Sequence, residues 1–93
     1  FNFNEAISLE IVCDTQAEVD YFWGKLTADG GEEGPCGWLK DKFGVSWQVV
    51  PRVLYELLND PDKVRVQRVT AAIFQMQKLD IAALQRAYTG ATG

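Results

Sequence analysis

Histidine is absent from this 93-residue chain, cysteine occurs only twice and methionine once. Without histidine, neither a Ser-His-Asp nor a Cys-His arrangement can be assembled from these residues, and a histidine-ligated metal would need ligands from elsewhere. Two cysteines, Cys13 and Cys36, could pair, but nothing else resembles a small secreted disulfide scaffold, so both read as buried free thiols. No apolar run approaches the roughly 20 residues that a membrane-spanning helix needs. Positive charge is also scarce. Nine Lys and Arg face thirteen Asp and Glu, for a net charge of −4. That balance argues against nucleic acid as a partner, because such binding needs clustered cations to displace counterions. Lys63, Arg65, Arg68 and Lys78 fall in one predicted helix without forming a stripe, and read as solvated surface. No signal peptide is visible, and the expected compartment is the cytoplasm. The chain opens on strand-like residues at Phe1, so it reads as a piece of a longer protein, which leaves an upstream targeting segment open.

What is present is a globular composition, 47% apolar and 12% aromatic, enough for one small domain. Residues 1 to 13 alternate with a period of two. Phe1, Phe3, Ile7, Leu9, Ile11 and Cys13 share one face, while Ser8 and Glu10 share the polar other, which is the pattern of a half-buried strand. Thr15 and Glu18 fit a capping box. Val19, Phe22, Trp23 and Leu26 then make one helical stripe, a natural cover for the strand's apolar face. Asp29-Gly30-Gly31 stops that helix. "GEEGP", residues 31 to 35, is a loop or a very short strand. Strands follow at about 36 to 41 and 45 to 50, around a turn at Lys42-Phe43-Gly44. Val45, Trp47 and Val49 lie on one face, and Ser46, Gln48 and Val50 on the other. Pro51 ends the strand. Helices are predicted over Arg52–Leu58, from a cap at Asp60 with Pro61 in its first turn to about Gln77, and from a cap at Asp80 over Ile81–Tyr88. Strands precede helices without regular alternation, so the fold class is α+β.

Three segments, "FNEAISLEIVCDTQAEVDYFWGKL", "GPCGWLKDKFGVSWQVVP" and "DIAALQRAYTG", together resemble the PhnB-like family. That family is also called the 3-demethylubiquinone-9 3-methyltransferase domain, and it belongs to the glyoxalase/bleomycin-resistance/dioxygenase, or vicinal oxygen chelate, group. The resemblance implies a single βαβββ module, a half barrel over residues 1–51, followed by a helical extension over 52–93 packed on the same domain. It also implies a second βαβββ module upstream in a longer chain, a homodimer, and a small-molecule ligand in the cup between modules.

Carried onto this chain, the first and last strands would line the cup with Ser8, Glu10, Ser46 and Gln48. Trp38 and Trp47 are either core residues or walls of that pocket. Metal-dependent members of the group would have a histidine at the position of Ser8 and a glutamate at that of Gln48. A hydroxyl and a neutral amide are poor ligands for zinc, nickel or iron, so no metal site is expected within this chain. Glu10 is either a solvated carboxylate or a ligand or general base. S-adenosylmethionine or a divalent metal stays open as a cofactor of the full-length protein. The methyltransferase name itself finds little support here. The glycine-rich "DGGEEG" follows a helix and not a first strand, where a nucleotide-type turn would stand. The favoured reading is a small-molecule binding or sequestering protein. The alternative is an enzyme, either a metal-dependent lyase, isomerase or dioxygenase or the named methyltransferase, with catalytic groups from the missing half.

Overall fold

The computed structural model describes residues 9–90. Five residues of the first strand, β1 (Leu9–Cys13), are followed by helix α1 (Gln16–Thr27) and a short turn of 3-10 helix at Ala28–Gly30. Strands β2 (Glu32–Glu33), β3 (Trp38–Lys40) and β4 (Ser46–Pro51) come next, then helices α2 (Arg52–Leu58), α3 (Lys63–Ile73) and α4 (Ile81–Thr89). The sheet order is β1-β4-β3-β2, with β1 parallel to β4 and the other pairs antiparallel. This is the α+β arrangement of a glyoxalase-like βαβββ module with helices after it.

Local chemistry sets the elements. Thr15 caps α1, its hydroxyl accepting from the Glu18 amide at 3.2 Å, while the Glu18 carboxylate accepts from the Thr15 amide at 3.1 Å. That reciprocal box satisfies amides that have no partner inside the helix. At the other end Asp29 takes φ 57°, one residue ahead of Gly30 at φ 106°. The β3–β4 turn is organised by Asp41. Its carboxylate accepts from the amides of Phe43 and Val45 at 2.9 and 3.0 Å, and from the Trp47 indole at 2.9 Å. Gly44 supplies the positive φ, 81°, that the turn requires.

Two apolar layers follow. The first packs Val19 and Trp23 of α1 on Cys13, Leu39 and Val49 of the sheet, with Ile11, Phe22, Leu26 and Trp47 at its margin. The second packs Val50 with Leu54, Leu57, Val69, Leu79 and Leu84. Val49 and Val50 are adjacent in β4 and so point to opposite faces, which lets one strand enter both layers. Full burial of each Leu or Val contributes about 1.5–3 kcal/mol.

The helices depart from the sequence reading in three places. α3 is capped by Asp62, which accepts from Val64 and Arg65, and not by Asp60. Asp60 instead accepts from the Asp62 amide and from the Tyr88 hydroxyl. α3 also ends at Ile73, short of Gln77. The following backbone turns away because the Met76 and Gln77 carbonyls accept from the Cys36 and Gly37 amides, at 2.9 and 2.8 Å. Lys78 and Arg68 are not free helix surface. Lys78 lies beyond α3 and pairs with Asp20 at 2.9 Å. Arg68 donates to the Ala87 and Tyr88 carbonyls at 2.9 and 3.0 Å, closing the C-terminal end of α4.

Candidate functional site

The period of two sorts the sheet's side chains. Cross-strand register places Glu10 opposite Gln48 and Gln48 opposite Trp38, so these three form one row across β1, β4 and β3. A second row runs from Ser46 through Lys40 to Glu32. Both rows lie on the face away from α1. At one end of that face Val50 is buried under the C-terminal helices. At the other end the face opens into a groove of about 490 Å³ whose lining includes Trp38, Lys40, Ser46, Glu32 and Glu33. That volume is of the size that holds a small organic molecule, about 300–1,000 Å³.

Of the sequence-derived candidates, Trp38 and Ser46 line the groove. Gln48 stands beside Trp38, and Glu10 beside Gln48. Ser8 lies outside the described residues. Trp47 is not brought to this face. It points to the other side, packs at the margin of the α1 layer and donates its indole N–H to Asp41. The physical reason is parity: Trp47 and Val49 are two apart on one strand and share its helix-facing side.

Three further residues belong to the site and have no marker in the local pattern. Tyr55, on α2, donates its hydroxyl to Glu10. Burial, then the bond to Glu10 and its charge, push the Tyr55 phenol up to about 12. It therefore stays a neutral donor at ordinary pH and holds the carboxylate in place. Lys40 and Glu32 face each other across the β2–β3 pair, where opposite charges offset. Only the sheet register could have exposed that pairing, and only the packing of α2 could have exposed Tyr55.

The three indoles are not equivalent. Trp23 donates to Glu33 at 2.6 Å and Trp47 to Asp41 at 2.9 Å. Among the described residues no hydrogen bond engages the Trp38 indole, which presents a flat ring to the groove.

Among the described residues no three His, Cys, Asp or Glu side chains gather. Among the described residues the oxygen donors on the open face are the Glu10 carboxylate, already bonded to Tyr55, the Glu32 carboxylate on β2 opposite Lys40, the Ser46 hydroxyl and the neutral Gln48 amide. The two carboxylates stand on the two edge strands, and a hydroxyl and an amide between them do not make a site that fits zinc, nickel or iron. "DGGEEG" is used structurally: Asp29 and Gly30 close α1, and Glu32–Glu33 form β2.

The fold and the open face together define a glyoxalase-like module. The match to known families agrees. Residues 1–50 match the family model for 3-demethylubiquinone-9 3-methyltransferase, more than half of the 93 residues, and the chain belongs to that family. No match to a curated protein is found.

Proposed function

We propose that this chain is a small-molecule-binding module of the vicinal oxygen chelate type. Its ligand lies on the open sheet face, in a cup completed by a second βαβββ module, and needs no metal from these residues. The observation that carries the reading is a groove of about 490 Å³ lined by Ser46 and by Trp38, whose indole no hydrogen bond engages among the described residues, with Gln48 directly across from Trp38 on β4. A flat apolar wall with a few convergent polar groups is how such sites bind and orient small ligands. The test uses the intact protein and the neutral fluorescent dye N-phenylnaphthylamine. Saturable binding at one site per module, lost in Trp38→Ala with the fold retained, supports the proposal. Unchanged binding in that variant rules the groove out. Absence of a metal requirement is checked by elemental analysis after saturating with nickel or zinc, where one tight equivalent per subunit would contradict it.

The family description favours one second reading, methyl transfer from S-adenosylmethionine. It predicts micromolar binding of that cofactor by calorimetry to the full-length protein, weakened when Glu10 or Tyr55 is replaced. No heat of binding would dismiss it.

A further inference from the structure

The wall of the groove that carries Trp38 is held from behind, and the hold leads to a residue outside the groove. Gly34, Pro35 and Trp38 line the groove, whereas Cys36 and Gly37 between them do not. This loop is closed on itself, with the Gly34 amide donating to the Trp38 carbonyl at 2.9 Å and the Trp38 amide to the Pro35 carbonyl at 3.0 Å. Cys36 and Gly37 take positive φ and give their amides to the Met76 and Gln77 carbonyls. The Gly37 carbonyl accepts from the Val49 amide at 2.9 Å, and a Cβ on Gly37 would stand 3.0 Å from Leu79. On that side the wall has no room to shift independently of residues 76–79.

Residues 74–80 join α3 to α4 as a strap with no helix or strand of its own, so its partners fix it. One partner is the groove wall. The other is Gln16, in the first turn of α1. Its Nε2 donates to the Leu79 carbonyl at 3.1 Å, and its Oε1 accepts from the Ile81 amide at 2.8 Å. The same Nε2 donates to Asp20 at 3.0 Å, and Asp20 pairs with Lys78 at 2.9 Å. A side-chain amide offers two N–H donors and an acceptor oxygen, and here all three are used; a carboxylate could not donate to the Leu79 carbonyl, and an alkyl chain could do neither. We infer that Gln16 is a positioning residue for the groove: by gripping the strap from α1 it fixes the Gly34–Trp38 wall, so ligand affinity depends on a side chain that never touches the ligand. The inference rests on the binding role proposed above. Hydrogen bonds and packed side chains are contiguous from Gln16 to the wall, as such coupling requires. A loosened strap leaves some molecules with the wall undocked, and apparent affinity falls with the fraction still competent.

The test makes two measurements on the intact protein: hydrogen exchange of the Cys36 and Gly37 amides by NMR, and N-phenylnaphthylamine binding by fluorescence titration. In Gln16→Ala, with the fold retained by circular dichroism, both amides should exchange about tenfold faster. The dye should bind about threefold more weakly or worse. Arg68→Ala is the control for general loosening. Arg68 holds the Ala87 and Tyr88 carbonyls, at the opposite end of α4 from the strap, so its loss should leave both readouts unchanged. Should Gln16→Ala not fold, Asp20→Ala removes the acceptor that Gln16 and Lys78 share and should move both readouts the same way by less. Unchanged exchange at Cys36 and Gly37 overturns the inference, as does an equal loss of dye affinity in Gln16→Ala and Arg68→Ala. Faster exchange with dye affinity unchanged also overturns it, but leaves the small-molecule role standing. If the dye fails to bind the unsubstituted protein, the proposed function falls and this inference with it.

Discussion

Replacing Leu79 by alanine asks whether the sheet layer and the C-terminal helices unfold as one body. Leu79 belongs to no helix or strand, yet it is fully buried. It packs with Val50, Leu54, Leu57, Val69 and Leu84, and its side chain lies 3.0 Å from where a Cβ on Gly37 would stand. It therefore touches both the loop before β3 and the helical layer. Truncating a fully buried leucine costs about 2–5 kcal/mol, the larger figure where the surroundings cannot collapse. Here the walls come from a sheet loop and three helices, so collapse is restricted and about 3–5 kcal/mol is expected. A chain of this length is stable by roughly 5–14 kcal/mol in total, so the loss is a large fraction. Urea denaturation provides the assay. At an m-value of about 1.5 kcal/mol/M the midpoint falls by roughly 2–3 M. All three tryptophans, Trp23, Trp38 and Trp47, lie in the sheet and α1, so fluorescence follows that layer while far-ultraviolet circular dichroism is weighted to the helices. Both transitions should shift together. A fluorescence midpoint that stays put while the dichroism midpoint drops would refute the reasoning, as would a loss below about 1 kcal/mol.

Other expectations follow from single groups. The bond from the Trp47 indole, then those from the Val45 and Phe43 amides, hold the Asp41 carboxyl below its ordinary value. A lowered carboxyl stabilises the fold above its unfolded value, and that contribution disappears as pH falls through the folded one. The stability gap between wild type and Asp41→Ala should therefore narrow in acid, read from denaturation midpoints at stepped pH, and a gap constant down to strongly acidic pH would contradict this. Tyr55 has the opposite sign. Its phenol is raised to about 12, so its contribution is complete below the unfolded value near 10 and is lost as pH rises through 12. The phenolate absorbance difference between wild type and Tyr55→Phe should titrate near pH 12, and a midpoint near 10 would show that the bond to Glu10 is not formed. Burial raises the Cys13 thiol, whereas Cys36 is only half buried. A thiol reagent should label Cys36 in the native protein and Cys13 only on unfolding, and equal labelling rates would refute that contrast.

Local features were legible where a few neighbouring residues decide the outcome. The Thr15–Glu18 box, the Val19–Leu26 stripe and the turn at Lys42–Gly44 each follow from side chains within one or two turns of chain. The same locality explains α2 and the Asp80 cap, whose carboxylate accepts from the Ala83 amide. Residues fixed by long-range partners were not legible. α3 stops early because Cys36 and Gly37 claim its trailing carbonyls. Asp60 loses its expected cap role to Asp62 because Tyr88 and the Asp62 amide occupy it. Arg68 looks like surface until the end of α4 arrives beside it. In the site, alternation along β4 separated Gln48 from Trp47, but the Glu10–Tyr55 pair joins residues 45 positions apart, and no period within one element reports on that.

The two amides of Cys36 and Gly37 also bear on the order in which the chain is made. Both residues adopt positive φ, 59° and 83°, which aims consecutive N–H groups at carbonyls 40 positions further along. On the ribosome every strand of the module emerges while those donors can bond only to water. Vectorial synthesis can therefore assemble α1 and the hairpin early. The docking of these two amides waits for residues 76 and 77, so this link between the two layers forms only after β1 to β4 have been made, whatever the speed at which the sheet itself pairs.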